Sequence, residues 1–175
     1  SRGCPFNCVF CADHLVHGKQ FRYRSPENVI AEVEYLVSQG VEEFDFIDDN
    51  FTLLPSRAEK ICDLMIQKGL NKKISWRCSN GVRIDKLNLD LLKKMKQAGC
   101  WNVFFGLESG NQELLNFMKK GQTLDMMRTA VKWAHDAGIE VRGSFILGLP
   151  GETPEMGRKT VDFALSLDLD YGQFN

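Results

Sequence analysis

Glycine closes nearly every amphipathic stretch in this chain, and that punctuation limits the fold more than any other feature. Gly40, Gly69, Gly99 and Gly138 each follow a run with apolar residues at helical spacing, where a residue free to take positive φ is favoured just past the helix end. The first run opens on Ser25 as N-cap with Pro26 at the first helical position, and Val29, Ile30, Val33, Leu36 and Val37 form one apolar stripe. Ile61, Leu64 and Met65 lead to Gly69; Leu91, Leu92, Met95 and Ala98 to Gly99; Met127, Ala130, Val131 and Ala134 to Gly138. A fifth helix is expected to start near Pro154. Between the helices, residues 42–47, 73–78, 102–107 and 140–147 are rich in β-branched and aromatic side chains and read as buried strands. Strands alternating with helices of this length build a parallel sheet through right-handed crossovers, so the expected class is α/β. Successive βα units without a reversal favour a complete or partial barrel over a doubly wound sheet. The chain reads as one domain over residues 1–175 with both ends cut. It begins in a loop with no strand before it and ends at Tyr171-Gly-Gln-Phe-Asn175, where a further strand is just beginning.

The loop at the start holds Cys4-Pro-Phe-Asn-Cys8-Val-Phe-Cys11, a C-x3-C-x2-C spacing that supplies three thiolates. A structural zinc site closes with four protein ligands, as does a ferredoxin cluster. Three thiolates on a cubane leave one iron open to a substrate or cofactor. A rival reading is a Cys3His zinc site completed by His14 or His17. Cys62, Cys78 and Cys100 fall in a helical pattern, a strand pattern and a helix-to-strand joint, where isolated cysteines behave as small buried hydrophobes.

Composition narrows the classes further. With 175 residues, 43% hydrophobic and 26% charged, the chain can bury a real core, which argues against disorder. A formal charge of −1 gives no global attraction to nucleic acid or anionic lipid. No apolar run approaches the roughly 20 residues a membrane helix needs, and no signal peptide precedes the cysteines, so a cytoplasmic location is the expectation. The cluster Lys19, Phe21, Arg22, Tyr23, Arg24 has the composition of an RNA or anion contact, but reads first as a solvated loop.

Polar residues gather after strands. Asp48-Asp49-Asn50 follows Phe44-Asp-Phe-Ile47, Arg77 and Ser79-Asn80 end the next strand, Glu108-Ser109 follows Val103 to Leu107, and Ser144 lies in the strand that ends at Gly148-Leu-Pro-Gly-Glu152. Ligand sites of parallel α/β proteins form at the carboxyl ends of strands, so these groups are expected to converge with the cysteines on one face. Each has a bland alternative: Asp48-Asp49-Asn50 as a turn, Glu108-Ser109-Gly110 as a helix entry, Arg77 and Lys120 as solvated charges, and Met126-Met127 as core.

The cysteine triplet with Phe10 before its third cysteine, Asp48-Asp49-Asn50-Phe51, Gly106-Leu-Glu-Ser109 and Gly143-Ser-Phe-Ile-Leu-Gly-Leu-Pro-Gly-Glu152 together resemble the core of a radical S-adenosylmethionine (SAM) enzyme. The resemblance covers nearly the whole chain and implies a partial (β/α)6 TIM-like barrel, here with its first strand absent and its sixth truncated. It implies that Cys4, Cys8 and Cys11 hold a [4Fe-4S] cluster whose open iron chelates SAM, and that an electron from the cluster cleaves SAM to a 5′-deoxyadenosyl radical that abstracts hydrogen. It places Phe10 near the adenosine and Asp48-Asp49 where the family's Gly-Gly-Glu variant meets the SAM ammonium, although this chain lacks those glycines. Glu108 would accept from a ribose hydroxyl or the ammonium. Lys120, with Lys119 as competitor, would meet the carboxylate, Arg77 and Ser144 would complete a polar ring, and Ile146 would pass against adenine. The opening Ser-Arg-Gly-Cys-Pro-Phe-Asn-Cys is similar to the branch that often carries an N-terminal cobalamin-binding domain and performs methylation or other carbon-centred chemistry. Cobalamin, if used, would be bound outside this chain. The branch of RNA-modifying methylthiotransferases is the alternative, and a non-catalytic zinc or Fe-S electron-transfer module is the reading from another class. The resemblance further implies a reductant such as flavodoxin or ferredoxin, leaves the substrate unknown, and gives nucleic acid no special claim.

Overall fold

Five parallel strands stand in sequential order, β1 to β5, with no reversal, in the computed structural model, which describes residues 1–175. The strands are β1 (Glu43–Phe46), β2 (Ser75–Val82), β3 (Cys100–Glu108), β4 (Glu140–Phe145) and β5 (Tyr171–Phe174). The longer helices are α2 (Pro26–Ser38), α3 (Pro55–Gln67), α4 (Leu89–Gln97), α6 (Leu124–Asp136) and α7 (Pro154–Leu165); two short ones, α1 (Asp13–Val16) and α5 (Gln112–Phe117), lie in loops. The chain is thus an α/β partial barrel wound in one direction, as the uninterrupted βα repeat predicts.

Local chemistry accounts for the helix ends. Ser25 accepts a hydrogen bond from the Asn28 N–H at 3.2 Å, with Pro26 at the first helical position. Asn88, Thr123 and Thr153 cap α4, α6 and α7 in the same way. The glycines at 40, 69, 99 and 138 all take positive φ, between +66° and +99°. The short α5, capped by Asn111, lies in a segment with no apolar run of helical length.

Strand alternation sorts the sheet into two faces. Trp76, Cys78, Val103, Phe105, Leu107, Val141 and Phe145 are buried in one cluster with Ile61, Met65, Leu91, Leu92, Met127 and Val131 of the helices. Burying each large apolar side chain contributes about 1.5–3 kcal/mol, and this layer between sheet and helices is the core. The opposite face carries Asp45, Arg77, Phe104, Arg142 and Ser144. Beside β1, a groove of about 640 Å³ lies between the sheet edge and α2, lined by Val33, Leu36, Phe44, Phe46 and Arg57 among others.

One strand departs from expectation. The sequence places this strand, β2, at about 73–78 with Ser79-Asn80 at its end, yet pairing continues to Val82 opposite Phe105 after a register shift. Gly81, at φ +112°, lets the strand absorb the irregularity. The next residue, Arg83, is thereby delivered to the carboxyl edge of the sheet.

Candidate active site

The cysteine loop lies across the carboxyl ends of the strands, held from three directions. The Gly3 N–H donates to Asp49 Oδ2 at 2.5 Å after β1. The Val9 N–H donates to the Met118 carbonyl at 3.1 Å after α5. Arg83, after β2, brings Nη1 to 4.0 Å from Cys8 Sγ. Gly3, at φ +86°, passes so close to the backbone of Gln20 that no side chain fits there. Cys4 and Cys8 are half-buried, Cys11 is exposed, and none of the six cysteines is disulfide-bonded. Burial pushes the Cys4 thiol up, opposed by the Phe6 backbone and the Arg83 cation.

The three thiols do not crowd as ligands of one ion would. The group of possible ligand atoms within 4.8 Å of one another is Asp13, His17 and Asp49. His17 Nδ1 stands 2.7 Å from Asp13 and 3.2 Å from Asp49, so it is engaged by carboxylates, and His14 is exposed. Three free thiols along one loop, with the Arg83 cation beside Cys4 and Cys8, suit a multinuclear iron–sulfur group.

Glu108 and Lys120 form a buried ion pair opposite the loop. Glu108 is a non-glycine at φ +71°, ending β3 in a sparsely populated conformation, and its carbonyl accepts from the Ile146 N–H at 2.8 Å. Gly106 makes room for the pair: a Cβ there would come within 2.5 Å of Lys120 Nζ. Lys120 Nζ also lies 5.6 Å from the centroid of the Phe10 ring, whereas Lys119 is exposed. Ile146 packs against Leu114, Met118 and Leu149, giving the pair an apolar neighbour. Ser144 is buried and paired in register with Gly106, one strand from the pair.

Asp48 and Asp49 adjoin the loop with their carboxylates already engaged. Asp48 accepts from the Ser1 hydroxyl at 2.7 Å and lies 3.7 Å from Arg57, while Asp49 holds Gly3 and His17. Below them Phe51 is buried with its ring 4.5 Å from Phe46 and 5.5 Å from Trp76, which anchors the turn. Arg77 lies apart from this gathering. It pairs with Asp45 at 2.5 Å, stacks 5.5 Å over Trp101, and shares register with Asn102, about 20 Å along β3 from Glu108.

Several bland readings fit the structure. The Ser109 hydroxyl shares a hydrogen bond of 3.2 Å with Thr160, and Gly110 touches α7, so that segment is a packing joint. Met127 is buried and Met126 packs on the core, while Arg24 is tied to Asn28 and Glu32. The residue that sequence reasoning missed is Arg83. Its signal was Val82-Arg83-Ile-Asp85, an arginine with a carboxylate two residues on, between the expected strand 73–78 and the helix that leads to Gly99.

The family model described as the Radical SAM superfamily matches residues 1–164. An uncharacterized methyltransferase of Pyrococcus horikoshii is 45% identical over 175 residues, covering 99% of this chain and 37% of that protein. The anaerobic magnesium-protoporphyrin IX monomethyl ester cyclase of Cereibacter sphaeroides is 32% identical, covering 94% of this chain and 27% of that protein. Among solved structures, the radical SAM methyltransferase TsrM of Kitasatospora setae, with cobalamin and a [4Fe-4S] cluster bound, superimposes with a TM-score of 0.88 at 23% identity, over 99% of this chain and 34% of that one. The chain therefore spans about a third of the length of the proteins it matches. No helix is long and apolar enough to cross a membrane.

Proposed function

Since the chain belongs to the radical SAM superfamily, we propose that it is the core of an enzyme whose Cys4, Cys8 and Cys11 hold a [4Fe-4S] cluster and whose facing wall binds SAM. The observation that carries this reading is the three-thiol loop held against the buried Glu108–Lys120 pair at the carboxyl ends of the strands. When bound, the cluster supplies the single electron that splits the sulfonium of SAM. The protein's part is to bind and orient. Separating a buried ion pair is costly unless each partner meets a new opposite charge, and the amino-acid end of SAM offers both signs. Lys120 takes the carboxylate and Glu108 the ammonium, so neither buried charge is left uncompensated; if Glu108 accepts from a ribose hydroxyl instead, it keeps Lys120 as its counter-ion. The Asp48 and Asp49 carboxylates are engaged by protein groups, and the Ile47 and Asp48 carbonyls already accept from Arg2 and Asn80, so an acceptor for SAM at the β1 end is gained by exchanging one of these contacts. Phe10 and Ile146 flank the adenosine, and Ser144 lies beneath it. Arg77, tied to Asp45, contributes to the inner face of the sheet.

For the whole protein, we propose methyl transfer with cobalamin held by a domain outside this chain, fed by a flavodoxin or ferredoxin as reductant. The support is the relative named a methyltransferase and the likeness to TsrM with its bound cobalamin. The test is anaerobic reconstitution of the complete protein, with iron and sulfide counts and electron paramagnetic resonance with and without SAM. The expected result is about four irons per chain, a signal that changes when SAM is added, and label transfer from methyl-labelled SAM to cobalamin. A reduced spectrum indifferent to SAM would overturn the enzyme reading.

A further inference from the structure

Arg83 uses every edge of its guanidinium. Nε donates to Asp85 Oδ1 at 2.8 Å, Nη2 donates to the Lys120 carbonyl at 2.7 Å, and Nη1 approaches Cys8 Sγ at 4.0 Å. Its planar face lies over the ring of Phe6, with 3.5 Å from the guanidinium carbon to the ring centroid. Phe6 stands between Cys4 and Cys8, so one side chain touches the cysteine loop by both edge and face. The side chain is only 11% exposed, which strengthens each of these contacts relative to a surface arginine.

The local charges leave Arg83 directed at the loop. Its partner Asp85 is shared with Lys86, 4.0 Å away, and Lys120 is neutralised by Glu108. The shape is as specific as the charge. A rigid fork is required to bridge a carbonyl on one turn and a sulfur on another while its plane lies on an aromatic ring, and a lysine ammonium has no such plane.

We infer that Arg83 is a positioning residue: it locks the cysteine loop to the Lys120 turn and raises the reduction potential of the cluster that loop carries. The inference rests on the cluster reading above. Three thiolates on a [4Fe-4S] core leave one net negative charge in the oxidised state and two in the reduced state. A fixed cation nearby, with an N–H aimed at a ligating sulfur, therefore favours the reduced state. The same side chain sets where the loop sits relative to the Lys120 that faces it.

The test compares wild type, Arg83→Gln and Arg83→Lys in the complete, anaerobically reconstituted protein by redox titration followed with electron paramagnetic resonance. Hydrogen exchange over residues 4–11 is measured in parallel on the cluster-free proteins. Arg83→Gln is expected to lower the reduced-to-oxidised ratio at a given potential about tenfold, or about 59 mV for a one-electron couple, and to speed exchange in the loop while the strands stay protected. Arg83→Lys retains the charge and loses the fork, so it is expected to shift the potential by less than half as much and to speed exchange equally. An Arg83→Gln protein with wild-type cluster content and an unchanged potential overturns the inference. Where Arg83→Gln holds too little cluster to titrate, Arg83→Lys decides, and wild-type potential with wild-type exchange there overturns it as well. Failure of the wild type to assemble a cluster would sink the cluster reading instead, and the exchange data would still report whether Arg83 holds the loop.

Discussion

Gly110→Ala isolates close packing from every other reason a glycine is retained. Gly110 does not take positive φ, so an alanine there meets no backbone strain. Its added Cβ, however, would stand 2.5 Å from Phe163 Cβ, 2.7 Å from the Lys159 carbonyl oxygen and 2.7 Å from Thr160 Cα. Two of these atoms are backbone of α7, so no rotamer change relieves the clash, and the helix must retreat by roughly an ångström from the end of β3. Overpacking of this kind costs about 1–3 kcal/mol. The retreat also stretches two bonds to Thr160 Oγ1, from the Gly110 N–H at 3.1 Å and the Ser109 hydroxyl at 3.2 Å. Each contributes about 1 kcal/mol, so the total expected loss is about 3–5 kcal/mol. With a urea slope of about 2 kcal/mol/M, the unfolding midpoint should fall by about 1.5–2.5 M. Thr160→Val, which removes the hydrogen bonds and keeps the shape, should cost about 1–2 kcal/mol. A Gly110→Ala loss below about 0.5 kcal/mol, or one no larger than that of Thr160→Val, would refute the steric argument.

Removing one member of the Glu108–Lys120 pair strands a buried charge, so Glu108→Gln and Lys120→Met should each cost about 3 kcal/mol, and the double variant clearly less than their sum in a urea double-mutant cycle. Burial drives up the thiols of Cys62, to about 12, and of Cys78 and Cys100; alkylation of the cluster-free native protein near pH 8 should therefore label Cys4, Cys8 and Cys11 by mass spectrometry, with the other three reacting only on unfolding. Burial tends to raise the Asp170 carboxyl, but the Val141 N–H at 2.7 Å and His135 at 3.1 Å outweigh it and hold the group low. A depressed carboxyl stabilises the fold above its unfolded pKa of about 3.9. The stability advantage over Asp170→Asn should thus be present above the unfolded pKa and be lost as pH falls through the folded pKa.

Much of this architecture was legible because the repeat is local. Ser25, Asn88 and Thr153 cap helices through bonds three residues long, and positive φ at Gly40 or Gly138 is a property of one residue, so periodicity and punctuation suffice. The extension of β2 to Val82 was not legible, because Ser79-Asn80-Gly81 has no strand propensity and is held by its neighbours on the sheet. Arg83 was hidden for the same reason: its partners are 37 and 75 residues away. At the site, the pattern of polar residues after strands pointed to Cys4, Cys8, Cys11 and Glu108 at one rim, the resemblance added Lys120, and the fold brings these residues together. It could not foresee that Arg77 would be taken by Asp45, a contact 32 residues distant whose strand register only the folded sheet defines.

The cysteine loop rests on three supports, Asp49, Met118 and Arg83, that belong to three separate βα units. A tripod tilts before it falls. Loss of one leg should re-aim the loop while the other two retain it, so substitutions at this rim are expected to change how the bound group behaves well before they abolish its binding. Divergence among proteins built on this barrel can then proceed by adjusting one leg at a time, tuning reactivity without discarding the cofactor. Met118 contributes a main-chain carbonyl, and its buried side chain, packed with Leu114 and Leu149, fixes where that carbonyl stands.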